Sequence, residues 1–178
     1  MAVVDHKYCF SYIDIGCNGR VSDGGVFRNS SLYQSLENGM LPEGHILVGD
    51  NAFPLKEYLL KPFPGTQLTL KQNNFNYRLS QARRIVENPF GILAARFRVF
   101  EKPMPYNPKK VVSIVKACCA LHNWLRQTKL QNTQFEYTVD KENVNEGTVI
   151  PSNWREGPEP RIGTTTNLFK QTLLWSVY

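Results

Sequence analysis

Two acidic residues in contrasting local settings constrain this chain most. Asp50 ends the apolar segment His45–Gly49, which predicts a short buried strand that carries an aspartate at its carboxyl end. Glu87 lies inside a long segment whose apolar residues recur every three or four positions, which predicts a helix. Such acids are the oxygen ligands that two-metal phosphodiester enzymes use. The alternatives are a turn role for Asp50 and an ion pair with Arg83 or Arg84 for Glu87.

Positive charge is concentrated in the middle of the chain. Residues 1–60 contain 4 Lys/Arg and 7 Asp/Glu, residues 61–129 contain 13 and 2, and residues 130–178 contain 4 and 6. This basic middle segment predicts a polyanionic partner, and DNA is the first candidate. The sequence Arg96-Phe97-Arg98 makes both backbone binding and base stacking chemically available. The alternative is a solvated basic face with no nucleic-acid partner.

The composition is that of one globular domain. The 178 residues are 42% hydrophobic and 20% charged. No apolar stretch is long enough to span a membrane, and the N-terminus lacks the order of a signal peptide, so we expect an intracellular protein. Cysteines of an intracellular protein are expected to be reduced thiols, and here they are Cys9, Cys17, Cys118 and Cys119. Neither they nor the histidines have zinc-type spacing. His6, His45 and His122 are therefore expected to be surface or packing residues.

The first third of the chain predicts short strands and one short helix. Alternation over Tyr8–Ile15 is typical of a strand, and Asn18-Gly19 favours a hairpin turn after which Val21 would begin the return strand. Another strand is expected over His45–Val48. Two helical elements complete this part, a short helix over Ser30–Leu36 and a single turn within Pro54–Leu60.

Two longer helices follow. The first is predicted to begin near Asn76 or Arg78 and to bury one stripe: Leu79, Ala82, Val86, Phe90, Leu93 and Phe97. Pro89 predicts a kink in it, close to Glu87. The second is predicted from Pro108 to about Leu130, with Asn107 as its N-cap. Its expected apolar face consists of Val111, Ile114, Val115, Cys118, Leu121 and Leu125.

The order of these elements predicts an α/β fold in which helices flank a mixed sheet. Residues 1–130 are expected to form the folded domain. Residues 131–178 lose periodicity and are polar, with several Gly and Pro residues, so we expect a C-terminal tail or a weakly ordered extension there.

Four motifs, in this order, resemble the DDE superfamily endonucleases of Harbinger-type transposases, a family that includes host proteins derived from them: GDNAFPLKEYLLKPF, FNYRLSQARRIVENPFG, ARFRVF and ACCALHNWLR. The resemblance extends from about Tyr8 to Arg126. It implies an RNase H-like fold and a site in which two aspartates and a glutamate hold Mg²⁺ or Mn²⁺. The family's second aspartate is matched by Asp50, and its glutamate by Glu87.

The family's first aspartate has no clear match in this chain. The strand that carries it is expected upstream of Tyr8, so we expect the RNase H-like sheet to lack its first strand. Asp5 and Asp14 are the candidates to replace this ligand. Asp23 lies where a family His-Asp-Ser motif is partly matched, and it is a candidate auxiliary residue, with a turn or capping role as the alternative.

These observations lead to one main functional hypothesis and two alternatives. The main hypothesis is a transposase-derived, divalent-metal-binding, nuclease-like domain that acts on DNA phosphodiesters, with cleavage impaired because the first aspartate is absent. Its catalytic and metal-binding residues would be Asp50 and Glu87, and its DNA-binding residues Arg83, Arg84, Arg96 and Arg98. The alternatives are a non-catalytic DNA- or protein-binding module and a non-functional transposase fragment.

A DNA substrate implies a nuclear location, with the cytoplasm as the alternative. The family resemblance also implies a separate DNA-binding partner protein. Nothing in the sequence predicts a membrane partner.

Overall fold

The computed structural model describes residues 1–17, 20–128, 138–143, 148–155 and 173–177. The strands are β1 (Ala2–Val4), β2 (Phe10–Ile13), β3 (Ile46–Val48), β4 (Leu59–Leu60), β5 (Lys141–Asn143), β6 (Thr148–Ile150) and β7 (Leu173–Val177). The helices are α1 (Asp23–Arg28), α2 (Ser31–Glu37), α3 (Leu70–Arg96) and α4 (Pro108–Gln127). Short 3-10 turns cover Arg98–Phe100 and Asn153–Arg155.

Five of the strands form one mixed sheet in the order β2-β1-β7-β3-β4. β1 pairs antiparallel with β2 and parallel with β7, and β3 pairs antiparallel with β7 and parallel with β4. β5 and β6 form a separate antiparallel hairpin. The predicted α/β class, with helices flanking a mixed sheet, is therefore confirmed.

β7 occupies the middle of the sheet, although it lies far from its neighbours in sequence. Ala2–Val4 pairs with Leu173–Trp175, and Ile46–Val48 pairs with Trp175–Val177. β7 therefore fills the centre of the sheet, between β1 and β3. Neither β1 nor β7 was predicted, because a strand of three to five residues gives little periodicity to detect.

The sheet separates two hydrophobic cores. α3 and α4 cover one face, where Val4 and Val48 are buried, whereas α1 and α2 cover the other, where Val3 and Leu47 are buried. This division follows from strand geometry, because successive side chains point to opposite faces of a sheet. The larger core also contains Cys118 and Cys119, and burial raises the pKa of the Cys119 thiol to about 12.

The helix caps are encoded locally. α3 begins at Leu70, several residues before the predicted start, because Thr69 and Gln72 form a reciprocal capping box. Its predicted buried stripe is confirmed, with Leu79, Val86 and Leu93 at 6%, 1% and 1% exposure. The predicted second helix is also confirmed as α4, whose Asn107 side chain accepts hydrogen bonds from the backbone of residues 109 and 110.

Several local predictions are wrong. Val21 does not begin a strand; it precedes α1, which Ser22 caps by accepting a hydrogen bond from the Gly25 backbone. Residues 54–60 form no helical turn; Leu59–Leu60 instead pairs with β3 as β4. The predicted turn at Asn18-Gly19 lies outside the described residues.

Two further predictions differ in extent. The predicted strand over residues 8–15 shortens to β2, because Tyr8 adopts a positive φ of 62° in the turn that joins β1 to β2. Leu121, predicted on the buried face of α4, is 47% exposed. The helix predicted over residues 30–36 is confirmed as α2, with Ser30 as its cap.

α4 is attached to the start of β2 by two polar side chains. Asn123 bonds both backbone groups of Phe10, accepting from its N–H and donating to its carbonyl, each at 2.8 Å. His122 is fully buried, and its Nε2 lies 2.8 Å from the Tyr8 carbonyl oxygen. His122 is thus a packing residue that fixes the turn before β2.

The boundary near residue 130 stays a prediction. The described parts of residues 131–178 nevertheless contact the rest of the chain. The 3-10 turn Asn153–Arg155 lies against α3, and β7 lies in the sheet.

Candidate active site

Asp50 follows the end of β3, as predicted. Its Oδ1 accepts a hydrogen bond from the Ala52 backbone at 2.8 Å, which closes a tight turn. Its Oδ2 lies 4.0 Å from Nη2 of Arg83, and the Asp50 side chain is 29% exposed. The same turn contacts α1, because a Cβ on Gly24 would lie 2.4 Å from the Ala52 carbonyl oxygen. Asp50 is therefore held between β3, α1 and α3.

Glu87 lies on α3, one turn after Arg83, and it is exposed. Residues four apart on a helix are neighbours, with Cβ atoms about 6 Å apart. Arg83 thus connects Asp50 to the part of α3 that presents Glu87. The helix continues through Pro89 to Arg96, so Glu87 lies well inside it. The kink expected at Pro89 stays a prediction.

Asp5 and Asp14, the candidate replacements for the first aspartate, and Asp23, the candidate auxiliary residue, occupy local structural positions. Asp5 accepts hydrogen bonds at Oδ1 from the Lys7 and Cys9 backbones, both at 2.9 Å, and so holds the turn between β1 and β2. The backbone carbonyl of Asp14 accepts from the Met1 amino group at 2.7 Å, and its carboxylate lies 3.7 Å from the Cys17 sulfur. Asp23 lies in the first turn of α1, where an acid is favourable.

These residues do not fit a two-metal centre. Within the described residues, no three His, Cys, Asp or Glu side chains are placed to share a metal ion. Asp50 already uses Oδ1 in a backbone hydrogen bond, and its Oδ2 faces a guanidinium. β7, beside β3, has the sequence Leu-Leu-Trp-Ser-Val and brings no carboxylate. Asp50 and Glu87 together provide fewer oxygen ligands than two divalent ions need.

The arginines predicted to bind DNA extend along α3 and do not form a single cluster. Arg83 and Arg96 are half-buried and are separated by 13 positions, about 20 Å along the helix axis. Arg98 is 84% exposed and pairs with Glu101 at 3.1 Å. The Arg84 side chain lies outside what the structure describes. At about 100° per residue, Arg83 and Arg96 also leave the helix about 140° apart, so they do not share one face of α3.

Four residues near Glu87 were missed in the sequence analysis. Asn88 and Trp154 are buried and hydrogen-bonded to one another, and Arg155 forms a two-point ion pair with Asp140. The only local signal for any of these residues was the position of Asn88, within the motif that contains Glu87. The others lie more than 50 positions away, in a segment without periodicity, and nothing in the sequence linked them to α3.

A cavity of about 520 Å³ lies elsewhere, between α2 and the segments on either side of β3. Its lining includes Glu37, His45 and Tyr58 but neither Asp50 nor Glu87. At the candidate site, Asp50 is partly exposed and Glu87 is exposed, so both carboxylates are accessible to solvent.

Comparisons with known proteins cover most of the region that carries the four motifs. The family described as "DDE superfamily endonuclease" matches residues 1–123. The mouse protein named "Putative nuclease HARBI1" is 31% identical over 126 residues, covering 69% of this chain and 36% of its own length. The Arabidopsis thaliana protein named "Protein ALP1-like" is 32% identical over 135 residues, covering 68% and 33%. The human HARBI1 protein is 29% identical over 126 residues.

The chain spans about a third of the length of these curated relatives. No solved structure matches it, so the narrower RNase H-like assignment stays a prediction beyond the observed α/β architecture. The family match includes both carboxylates, Arg83 and all of the sheet except β7. This chain belongs to the DDE superfamily endonuclease family.

Proposed function

We propose that this chain is a transposase-derived, nuclease-like domain that binds the DNA backbone and cleaves it inefficiently or not at all. The observation that carries the proposal is the arrangement around Arg83. By the motif resemblance, Asp50 and Glu87 take the family's acidic positions, and Arg83 lies 4.0 Å from Asp50. Within the described residues, no three His, Cys, Asp or Glu side chains are placed to hold a metal ion. Phosphodiester cleavage by two ions needs more oxygen ligands than this pair provides.

Exposed basic side chains on α3, α4 and the segment between them support the DNA-binding part of the proposal. They are Lys71, Arg78, Arg98, Lys102, Lys109, Lys110 and Lys116. Asn107, which caps α4, is followed by Pro108 and then by two exposed lysines at the positive end of the helix dipole. Phosphate binding there needs no base-specific contact, so we expect little sequence preference.

Mg²⁺ or Mn²⁺, the ions that the family's chemistry uses, would be held here by Asp50 and Glu87 as a single weakly bound ion. Such an ion would supply charge neutralisation next to a bound phosphate. Asp50→Asn and Glu87→Gln should each weaken Mn²⁺ binding without a loss of melting temperature, because neither change removes core packing.

The test combines DNA binding and cleavage on the same preparation. We expect fluorescence anisotropy to show duplex DNA binding in EDTA, with log affinity falling by roughly 0.9 per contacted phosphate for each unit of log salt. We expect supercoiled plasmid to stay intact in Mn²⁺. Absence of DNA binding at low salt would refute the proposal. Nicking that Asp50→Asn abolishes would show instead that the chain is an active nuclease.

A protein-binding role is the second candidate, because α4 exposes two large apolar side chains. Leu121 is 47% exposed and Trp124 is 55% exposed, one turn apart on the same helix. This surface is a candidate for contact with the separate DNA-binding partner that the family resemblance implies. A Leu121→Gln, Trp124→Gln variant should lose that partner in co-purification while DNA affinity stays unchanged.

A nuclear location belongs to the same proposal, since DNA is the substrate class. Imaging of the tagged chain in cells would test it. None of the helices in the described part of the chain is long and apolar enough to cross a membrane.

A further inference from the structure

Helix α4 has apolar residues on two sides, and only one of these sides is covered. The inner side packs against α3 and β2 and buries five residues: Val111, Val115, Cys118, Cys119 and His122. Four exposed residues on the other side are called here the outer face: Ala117, Ala120, Leu121 and Trp124. At about 100° per residue they lie within about 100° of one another around the helix axis. A helix that is apolar on both sides normally has a packing partner on both.

The outer face has the relief of a helix-packing surface. Leu121 and Trp124 are 47% and 55% exposed and supply its large side chains. Ala117 and Ala120 contribute one methyl group each, so a neighbouring helix can approach closely beside the two large residues. A Trp next to a Leu is also typical of the few residues that provide most of the affinity of an interface.

The charge around the outer face indicates what kind of helix fits it. α4 contains four Lys or Arg residues and no Asp or Glu. Lys109, Lys110 and Lys116 are exposed, and by helical geometry they border the outer face or continue it towards the start of α4. Arg126 points elsewhere, because its guanidinium lies 5.3 Å from the centre of the Tyr8 ring. The border of the outer face is therefore purely basic.

This border distinguishes between the possible occupants. A second copy of α4 would bring further lysines against those of the first, and like charges that face one another oppose association. A DNA backbone would neutralise the lysines, but phosphates do not cover apolar side chains, so Leu121 would stay in water. An apolar helix with acidic flanks satisfies the lysines and buries the outer face together.

We propose that the outer face of α4 binds an amphipathic helix of a partner protein, whose apolar stripe is flanked by Asp and Glu. The inference rests on the second candidate function, protein binding, and specifies the chemistry of the partner. Burial of Leu121 and Trp124 supplies most of the affinity. The lysines select acidic flanks and accelerate association. The partner's apolar residues should recur every three or four positions.

The experiment uses a synthetic helical peptide of about 18 residues with a Leu stripe and Glu flanks, and a second peptide with the same stripe and Lys flanks. We expect the whole chain to bind the Glu-flanked peptide at least about tenfold more tightly at low salt, and this preference to shrink as salt rises. Binding should shift tryptophan emission to shorter wavelength. Trp124→Phe should remove that shift while the labelled peptide still binds, which assigns the shift to Trp124.

Surface variants locate the binding face. The Leu121→Gln, Trp124→Gln variant should lose the Glu-flanked peptide and keep its melting temperature, because both side chains are exposed. Leu70→Gln, at a 77% exposed leucine that begins α3, is the matched control and should bind as the unchanged chain does. Lys116→Gln should reduce the preference for Glu flanks without abolishing binding.

Equal affinity for the two peptides would overturn the proposal, as would peptide binding that Leu121→Gln, Trp124→Gln leaves intact. Dimers in sedimentation that this variant abolishes would show that a second copy is the occupant instead. A fall in the variant's affinity for duplex DNA in EDTA would assign the outer face to DNA. Absence of DNA binding by the unchanged chain would refute the main proposed function alone, because the peptide measurement does not depend on it.

Discussion

His122 shows how one buried residue makes stability depend on pH. Burial lowers the pKa of His122 to about 4, and its Nε2–H donates to the Tyr8 carbonyl while the ring is neutral. The unfolded chain titrates this histidine near its ordinary value, so the unfolded state binds the proton first as the pH falls. The contribution of neutral His122 is therefore fully present above about pH 6.5 and is lost as the pH falls towards 4.

The measurement is urea unfolding between pH 7 and pH 4, for the unchanged chain and for His122→Gln. We expect the unchanged chain to lose up to about 3 kcal/mol more than the variant across this range, because the variant has no proton to gain there. The comparison removes the contribution of carboxylates, which titrate in both chains. Parallel curves for the two chains would contradict the burial argument.

Gly91 provides a second test at the level of one residue. An alanine inside a helix normally stabilises it by about 1 kcal/mol relative to glycine. Gly91→Ala should instead destabilise the chain, because the added Cβ would lie 2.5 Å from the Trp154 ring. In a Trp154→Ala background the same change should become neutral or stabilising. Thermal unfolding of the four chains measures this coupling, and additive effects would show that the indole does not press on Gly91.

Single residues of the site were predictable where the motif and the local geometry agree. Asp50 lies at the end of a strand and Glu87 lies on a helix, as the sequence predicted. The arginine beside Asp50 was not equally predictable. Arg83 is four positions before Glu87 and was considered as its partner, yet it lies beside Asp50. Trp154 reaches α3 through tertiary packing on Asn88 and Gly91, which no local pattern encodes.

Pro89 affects the stability of helix α3. α3 continues through it for seven further residues, so the missing N–H leaves one carbonyl without its usual helical donor. Pro89→Ala should stabilise the chain by at most about 3 kcal/mol, the full helix-interior scale for proline. The gain in stability should be smaller than that limit, because Pro89 is buried and the substitution removes buried ring atoms. Thermal melting in the presence of EDTA is the measurement, and a loss of stability would show that packing outweighs the restored bond.

Helices with clear caps were predictable, whereas short strands were not. The Asn107-Pro108 start of α4 and the Ser30 start of α2 carry signals in adjacent residues. The start of α3 also carried one, the Thr69 and Gln72 capping box, which the apolar periodicity alone does not reveal. Leu59–Leu60 was expected to be helical, and parallel pairing with β3 decides its conformation instead. Pairing between distant segments has no counterpart in local sequence.

At the scale of the whole molecule, β7 joins the two halves of the sheet. β1 and β3 both pair with β7. Leu174→Pro removes a backbone donor from within this central strand and should abolish cooperative unfolding. Val149→Pro, in the separate two-stranded hairpin, is the control and should cost far less. Circular dichroism melts and gel filtration would measure both, and equal effects would contradict the central role of β7.

The position of β7 also has a consequence for the order of folding. β1 and its partner β7 lie about 170 residues apart in the chain. Closing so long a loop before any pairing energy is gained makes this contact slow to form. Until β7 arrives, β1 and β3 present unpaired backbone edges, which other chains can bind. Slow expression at low temperature, or co-expression with chaperones, should therefore raise the yield of monomeric protein.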